Sequence, residues 1–144
     1  MTIRVAGAAD AAALASLRGD DDPEFVTRIA AWLASEGNRR TTWLALVAEE
    51  PVGMASMLEY RRMPRPDRPD SRWGYVSNMF VREQARDRGI GTALLETIIA
   101  TAEERGYVRL VLSPSARSMP LYERAGFVVP DEAAGEHRLL VRPR

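Results

Sequence analysis

Apolar residues along this 144-residue chain change their spacing several times, and each change predicts an element. Thr2–Ala6 reads as a first strand. Ala8 to Arg18 is rich in alanine and suits a helix, with Asp10 favourably placed in the first turn. Asp22-Pro23 predicts a second helix start, a capping carboxylate followed by proline at the first helical position. Phe25, Val26, Ile29, Trp32 and Leu33 then recur at helical spacing until Gly37. Thr42–Ala48 and Val52–Tyr60 are strand-like runs around Glu49-Glu50-Pro51, which predicts a hairpin.

The second half repeats this alternation on a larger scale. Arg61–Arg72 is a loop with three prolines and five arginines. Trp73–Val81 returns to strand. Ile90, Ala93, Leu94, Thr97, Ile98, Thr101 and Ala102 give a long helix one apolar stripe, and Gly106 can stop it. Val108–Leu112 is a strand, Ser118-Met119-Pro120 opens a short helix, and Phe127–Val129 with Arg138–Val141 forms a closing strand pair. The expected fold class is therefore α/β, a mixed central sheet with helices on both faces. The expected order is β-α-α-β-β-β-α-β-α-β-β, within a single domain spanning 1–144.

Composition narrows the chemistry. Twenty basic residues balance twenty acidic ones, so no overall field recruits nucleic acid or a membrane surface. Absence of cysteine removes disulfides, thiolate ligands and a cysteine nucleophile together, and the one histidine, His137, cannot build a histidine metal cluster. No metal is expected. No apolar run approaches the ~20 residues of a membrane span, and Met1-Thr2-Ile3-Arg4 does not open a signal peptide, so the expected location is cytoplasmic. All twenty basic residues are arginine; without lysine there is no Gly-Lys-Ser/Thr phosphate loop and nucleotide hydrolysis is set aside.

Arg86-Asp87-Arg88-Gly89-Ile90-Gly91-Thr92 carries the clearest chemical signal. It joins a strand to a helix start, where unpaired backbone N–H groups and the helix dipole favour an anion. The glycines admit phosphate without an intervening Cβ, and Arg86 and Arg88 add charge. This stretch resembles the acyl-CoA pyrophosphate loop of the GCN5-related N-acetyltransferases (GNAT). Leu121-Tyr122-Glu123-Arg124-Ala125-Gly126-Phe127 resembles the second signature of that family. Order and spacing match from about Trp43 to Phe127.

The resemblance implies acetyl-CoA as cosubstrate and direct transfer of its acetyl group to a primary amine of a small molecule or peptide. It implies that backbone groups of Met79, Phe80 and Val81 hold the pantetheine arm beside a bulged strand, one N–H polarising the thioester carbonyl. It implies Tyr122 as the acid that protonates the departing thiolate. Ser115 falls where many relatives carry an asparagine that contacts the cofactor; the same residue, or Ser118, could instead cap the short helix. Glu59 is the best-placed carboxylate for a general base, while Ser77 and Asn78 could hold a water. Asp20-Asp21-Asp22 would favour a cationic acceptor, and the Arg61–Arg72 loop an acidic one. A homodimer is a further expectation from the family. The competing reading from another class is a non-catalytic acyl-CoA sensor or partner subunit, which needs the loop but no base.

Overall fold

The computed structural model describes residues 1–129 and 140–143. Ten main elements follow one another: β1 (Thr2–Val5), α1 (Ala11–Leu17), α2 (Pro23–Glu36), β2 (Arg40–Val47), β3 (Glu50–Arg61), β4 (Arg72–Val81), α3 (Ile90–Glu104), β5 (Arg109–Leu112), α4 (Met119–Arg124) and β6 (Leu140–Pro143). The strands form one mixed sheet in the order β1-β2-β3-β4-β5-β6, flanked by helices. β1 lies antiparallel to β2, β4 parallel to β5, and β5 antiparallel to β6. Of the expected closing pair, Val128 contributes a single antiparallel bridge to Val141. Arg138 and Leu139 lie outside the described residues, as does His137.

Contacts divide the chain into two compact units, Met1–Ser56 with Asn78–Leu94, and Met57–Ser77 with Leu95–Arg144. The first unit is built around Leu14, Leu17, Leu44 and Met54, with Ile29, Leu33 and Phe80 packed against them. Asp22 caps α2 through its carboxylate, which accepts the Glu24 amide at 3.0 Å, with Pro23 in the first turn as the sequence predicts. The first helix is split. Asp10 accepts the Gly7 amide at 2.8 Å and pairs with Arg4, so Ala8–Asp10 is a tight 3-10 turn before α1 begins. The β2–β3 turn also differs from expectation. It is Ala48-Glu49, with φ of 51° and 66°, and Glu50-Pro51 already belongs to β3. Two left-handed central residues are what a two-residue hairpin requires, here without asparagine or glycine to ease the strain.

Close backbone approaches position α3 and β4. A Cβ at Gly53 would stand 3.1 Å from the Phe80 carbonyl and 3.3 Å from Ile90 and Leu94 side-chain atoms. Glycine there lets β3 lie directly against the first turns of α3. In the second unit a Cβ at Gly74 would meet side-chain atoms of Leu110 and Met57 at 2.8 Å, so those two side chains fill the space over Gly74.

Candidate active site

The phosphate-loop candidate belongs to the first unit. Asp87 and Gly89 take φ of 65° and 79° on either side of Arg88. Alternation of backbone handedness turns successive amides toward one concave side, a shape that receives anions. Gly89 accepts the first helical bond of α3, from the Ala93 amide at 3.0 Å, and so stands at the capping position. It has no side chain with which to cap the amides that follow, and a Cβ there would meet nothing within 4 Å. Asp87, Arg88, Gly89 and Thr92 are exposed, whereas Ile90 is buried and anchors the helix. Its own hydrogen bond from Nε to the Val81 carbonyl, 3.0 Å, fastens Arg86 to the end of β4.

Met79, Phe80 and Val81 lead into this loop. The β4–β5 ladder runs only from Gly74↔Leu110 to Val76↔Leu112, while β4 continues five residues further. Within that extension Asn78 adopts φ 57°, a left-handed residue inside a strand. A local break of this kind re-aims the backbone groups that follow it.

Arg82, which sequence reasoning passed over, fixes the connection. Its amide donates to the Val52 carbonyl at 2.8 Å, its Nε to the Pro51 carbonyl at 2.9 Å, and a terminal nitrogen to Ser16 Oγ at 2.9 Å. One side chain thus ties the loop to the β2–β3 hairpin and to α1. Its partners lie 31 and 66 residues away in sequence, so no local pattern marks it.

Tyr122, Ser115 and Glu59 belong to the second unit, whereas Asp20-Asp21-Asp22 belongs to the first. Tyr122 is buried in α4 and meets Phe127 edge-on, with ring centroids 5.7 Å apart. Burial pushes its phenol pKa above the ordinary 10, so the proton stays in place at neutral pH. Ser115 and Ser118 bind one another: their hydroxyls are 2.8 Å apart, the Ser115 amide donates to Ser118 Oγ, and the Ser118 amide donates to Ser115 Oγ. Ser118 occupies the capping position of α4, yet its side chain caps none of the helix amides.

Glu59 stands in a very different environment. Its side chain is 8% exposed. Oε2 accepts Arg61 Nε at 2.8 Å, and Oε1 accepts the Tyr107 hydroxyl at 2.8 Å and an Arg72 nitrogen at 3.2 Å. Burial alone would raise its pKa, but the hydrogen bonds from Arg61 and Tyr107, with the charges of Arg61 and Arg72, together hold it below the ordinary value. A carboxylate bonded through both oxygens and held ionised is a weak proton acceptor. Among the described residues no group of three His, Cys, Asp or Glu side chains is arranged to hold a metal ion. No helix among them is long and apolar enough to cross a membrane.

The acetyltransferase (GNAT) family matches residues 11–127. The chain belongs to the GCN5-related N-acetyltransferase family. It is 29% identical over 76 residues to glucosamine 6-phosphate N-acetyltransferase of Trypanosoma brucei brucei, a match covering 53% of this chain and 50% of that protein. It is 26% identical over 107 residues to the uncharacterized N-acetyltransferase YafP of Escherichia coli K12, covering 69% of this chain and 59% of that one. The chain thus spans half to three-fifths of the length of the curated relatives it matches. In fold it is similar to a predicted acetyltransferase of Clostridium acetobutylicum, crystallised with acetyl-CoA, with a TM-score of 0.76, 22% identity and 94% of each chain covered.

Proposed function

We propose that this protein transfers an acetyl group from acetyl-CoA to a primary amine of a small molecule or peptide by direct attack. The observation that carries the reading is the start of α3, where Asp87 and Gly89 take left-handed backbone turns beside Arg88 and the capping residue has no side chain, with open space around it. That is the chemistry a diphosphate needs, and membership of the family supports coenzyme A as the molecule that carries it. Backbone groups of Met79, Phe80 and Val81 hold the pantetheine arm, and one of their N–H groups stabilises charge on the carbonyl oxygen as the tetrahedral intermediate forms.

The acceptor nitrogen attacks the thioester carbon, the C–S bond breaks, the thiolate takes the proton of Tyr122, and the phenolate regains a proton from solvent. The attacking amine releases its own proton to water held by the polar groups of Ser77 and Asn78 or to bulk solvent. Glu59 is left out of the chemistry, because its oxygens are committed to Arg61, Arg72 and Tyr107. Ser115 Oγ, engaged by Ser118, keeps one lone pair for a cofactor contact. The acceptor named for the trypanosomal relative, glucosamine 6-phosphate, is itself a primary amine and belongs in the first substrate panel.

Thermal-shift titration with acetyl-CoA, followed by an amine panel read by release of free thiol, tests this reading. A cosubstrate at ~100 times its dissociation constant adds about 2.7 kcal/mol of stability. Saturable stabilisation with amine-dependent thiol release is expected. Stabilisation without turnover across the panel would leave a non-catalytic acyl-CoA binder.

A further inference from the structure

The β3–β4 loop and the strand ends that carry it form a second pocket, and it lies wholly within the second unit. Its volume is about 510 Å³ and it is lined by Tyr60, Arg62, Met63, Arg65 and Trp73, within the range of small-molecule sites of ~300–1,000 Å³. One wall is aromatic. Tyr60 and Trp73, the residues just inside the ends of β3 and β4, stack with centroids 4.6 Å apart and planes 28° from parallel. Tyr60 remains 52% exposed and Met63 87% exposed, so apolar surface lies open where a folded domain would ordinarily cover it.

The other wall is cationic. Residues 61–72 hold five arginines against Asp67 and Asp70. Glu59 engages Arg61 and Arg72. Arg65 lies 3.4 Å from Asp67 with both side chains more than half exposed, a contact water already competes for. Arg62, among the described residues, has no side-chain partner. The loop is held in shape by the Arg62 amide on the Ser71 carbonyl, 3.1 Å, by an Arg65↔Arg68 bridge, and by Pro64, Pro66 and Pro69.

We infer that this pocket binds a nucleoside monophosphate, its base stacked on the exposed face of Tyr60 and its phosphate on Arg62 and Arg65. A stacked aromatic wall selects a planar ring, and a guanidinium group selects a phosphate through bidentate hydrogen bonds. Neither wall alone accounts for both features, and the pocket volume accommodates one nucleotide rather than a chain of them.

Isothermal titration with UMP, uridine, inorganic phosphate and glucose 6-phosphate tests the assignment on the intact protein. UMP is expected to bind at least tenfold more tightly than any of the other three. Tyr60→Leu and the double variant Arg62→Ala/Arg65→Ala are each expected to weaken it tenfold or more while the protein stays folded, as read by circular dichroism. Gly89→Glu, which removes the α3 phosphate site, is expected to leave UMP binding intact, so failure of the coenzyme A reading and failure of this one are told apart. Equal binding of glucose 6-phosphate and UMP would overturn the stacked-base assignment. Loss of UMP binding in Gly89→Glu, binding indifferent to Tyr60 and the arginines, or no binding of UMP at millimolar concentration would overturn the site.

Discussion

Two helices of this protein start just beyond a strand, and their first turns are organised in opposite ways. At α3 the capping position is a glycine and two left-handed residues flank Arg88, so the leading amides have no capping side chain from Gly89. At α4 two serines close a ring of hydrogen bonds around the turn before the helix, and Pro120 in the first turn has no amide to satisfy. The first start keeps its polar groups available to a ligand. The second consumes them locally and in exchange holds a helix of six residues firmly enough to bury Tyr122. The candidate binding site thus lies where the helix start has no capping side chain, and the candidate catalytic proton lies where the turn is closed by side chains.

The contrast can be broken most severely at Gly89. Gly89→Glu puts a side chain at φ 79° and a negative charge on the anion site; stabilisation by acetyl-CoA in a thermal-shift titration is expected to vanish. Retained stabilisation would mean that the α3 start is not the cofactor's anchor. Next comes Tyr122→Phe, which keeps the ring against Phe127 and removes only the hydroxyl. Its kcat is expected to fall about 10²-fold or more with acetyl-CoA affinity unchanged, and normal turnover would remove Tyr122 from the acid role.

Glu59→Gln tests whether a spent carboxylate is structural. Removing charge from three hydrogen bonds is expected to cost about 1–3 kcal/mol at neutral pH in denaturant unfolding. Because the folded-state pKa is depressed, the stabilisation is present above the ordinary glutamate value of 4.5 and lost as pH falls through the lower folded value. The gap between wild type and variant should therefore close in acid. Turnover should be retained in the variant at neutral pH; a collapse of kcat there would restore Glu59 as the base. The smallest effect belongs to Ser118→Ala, about 0.5–1 kcal/mol of stability, with acetyl-CoA affinity unaltered. A tenfold loss of that affinity would instead mean that the serine ring opens onto the cofactor.

Local patterns made much of this fold legible. The Asp22-Pro23 start of α2, the apolar stripe of α3 and the strand limits around the Arg61–Arg72 loop each depend on neighbours in sequence, and the structure keeps all of them. At Arg86–Thr92 the left-handed Gly89 stands where the glycine spacing expects a turn. What escaped depends on distant partners. Glu59 stood out as a strand-end acid, but Tyr107, 48 residues away, occupies the oxygen that a base would need. Gly53 gave no sign that α3 side chains would lie within 3.3 Å of where a Cβ would stand. The break at Asn78 had a sequence-level expectation only through the family, since asparagine in a strand is otherwise unremarked.

The Ala48-Glu49 turn carries a kinetic consequence. Ordinary L-residues at φ of 51° and 66° disfavour closing the hairpin before its strands have partners, so the turn is imposed by the completed ladder rather than nucleating it. Such a site sits low on the scale of transition-state structure. Relieving it with Ala48→Asn and Glu49→Gly should lengthen the lifetime of the native state against unfolding and leave the rate of folding almost untouched.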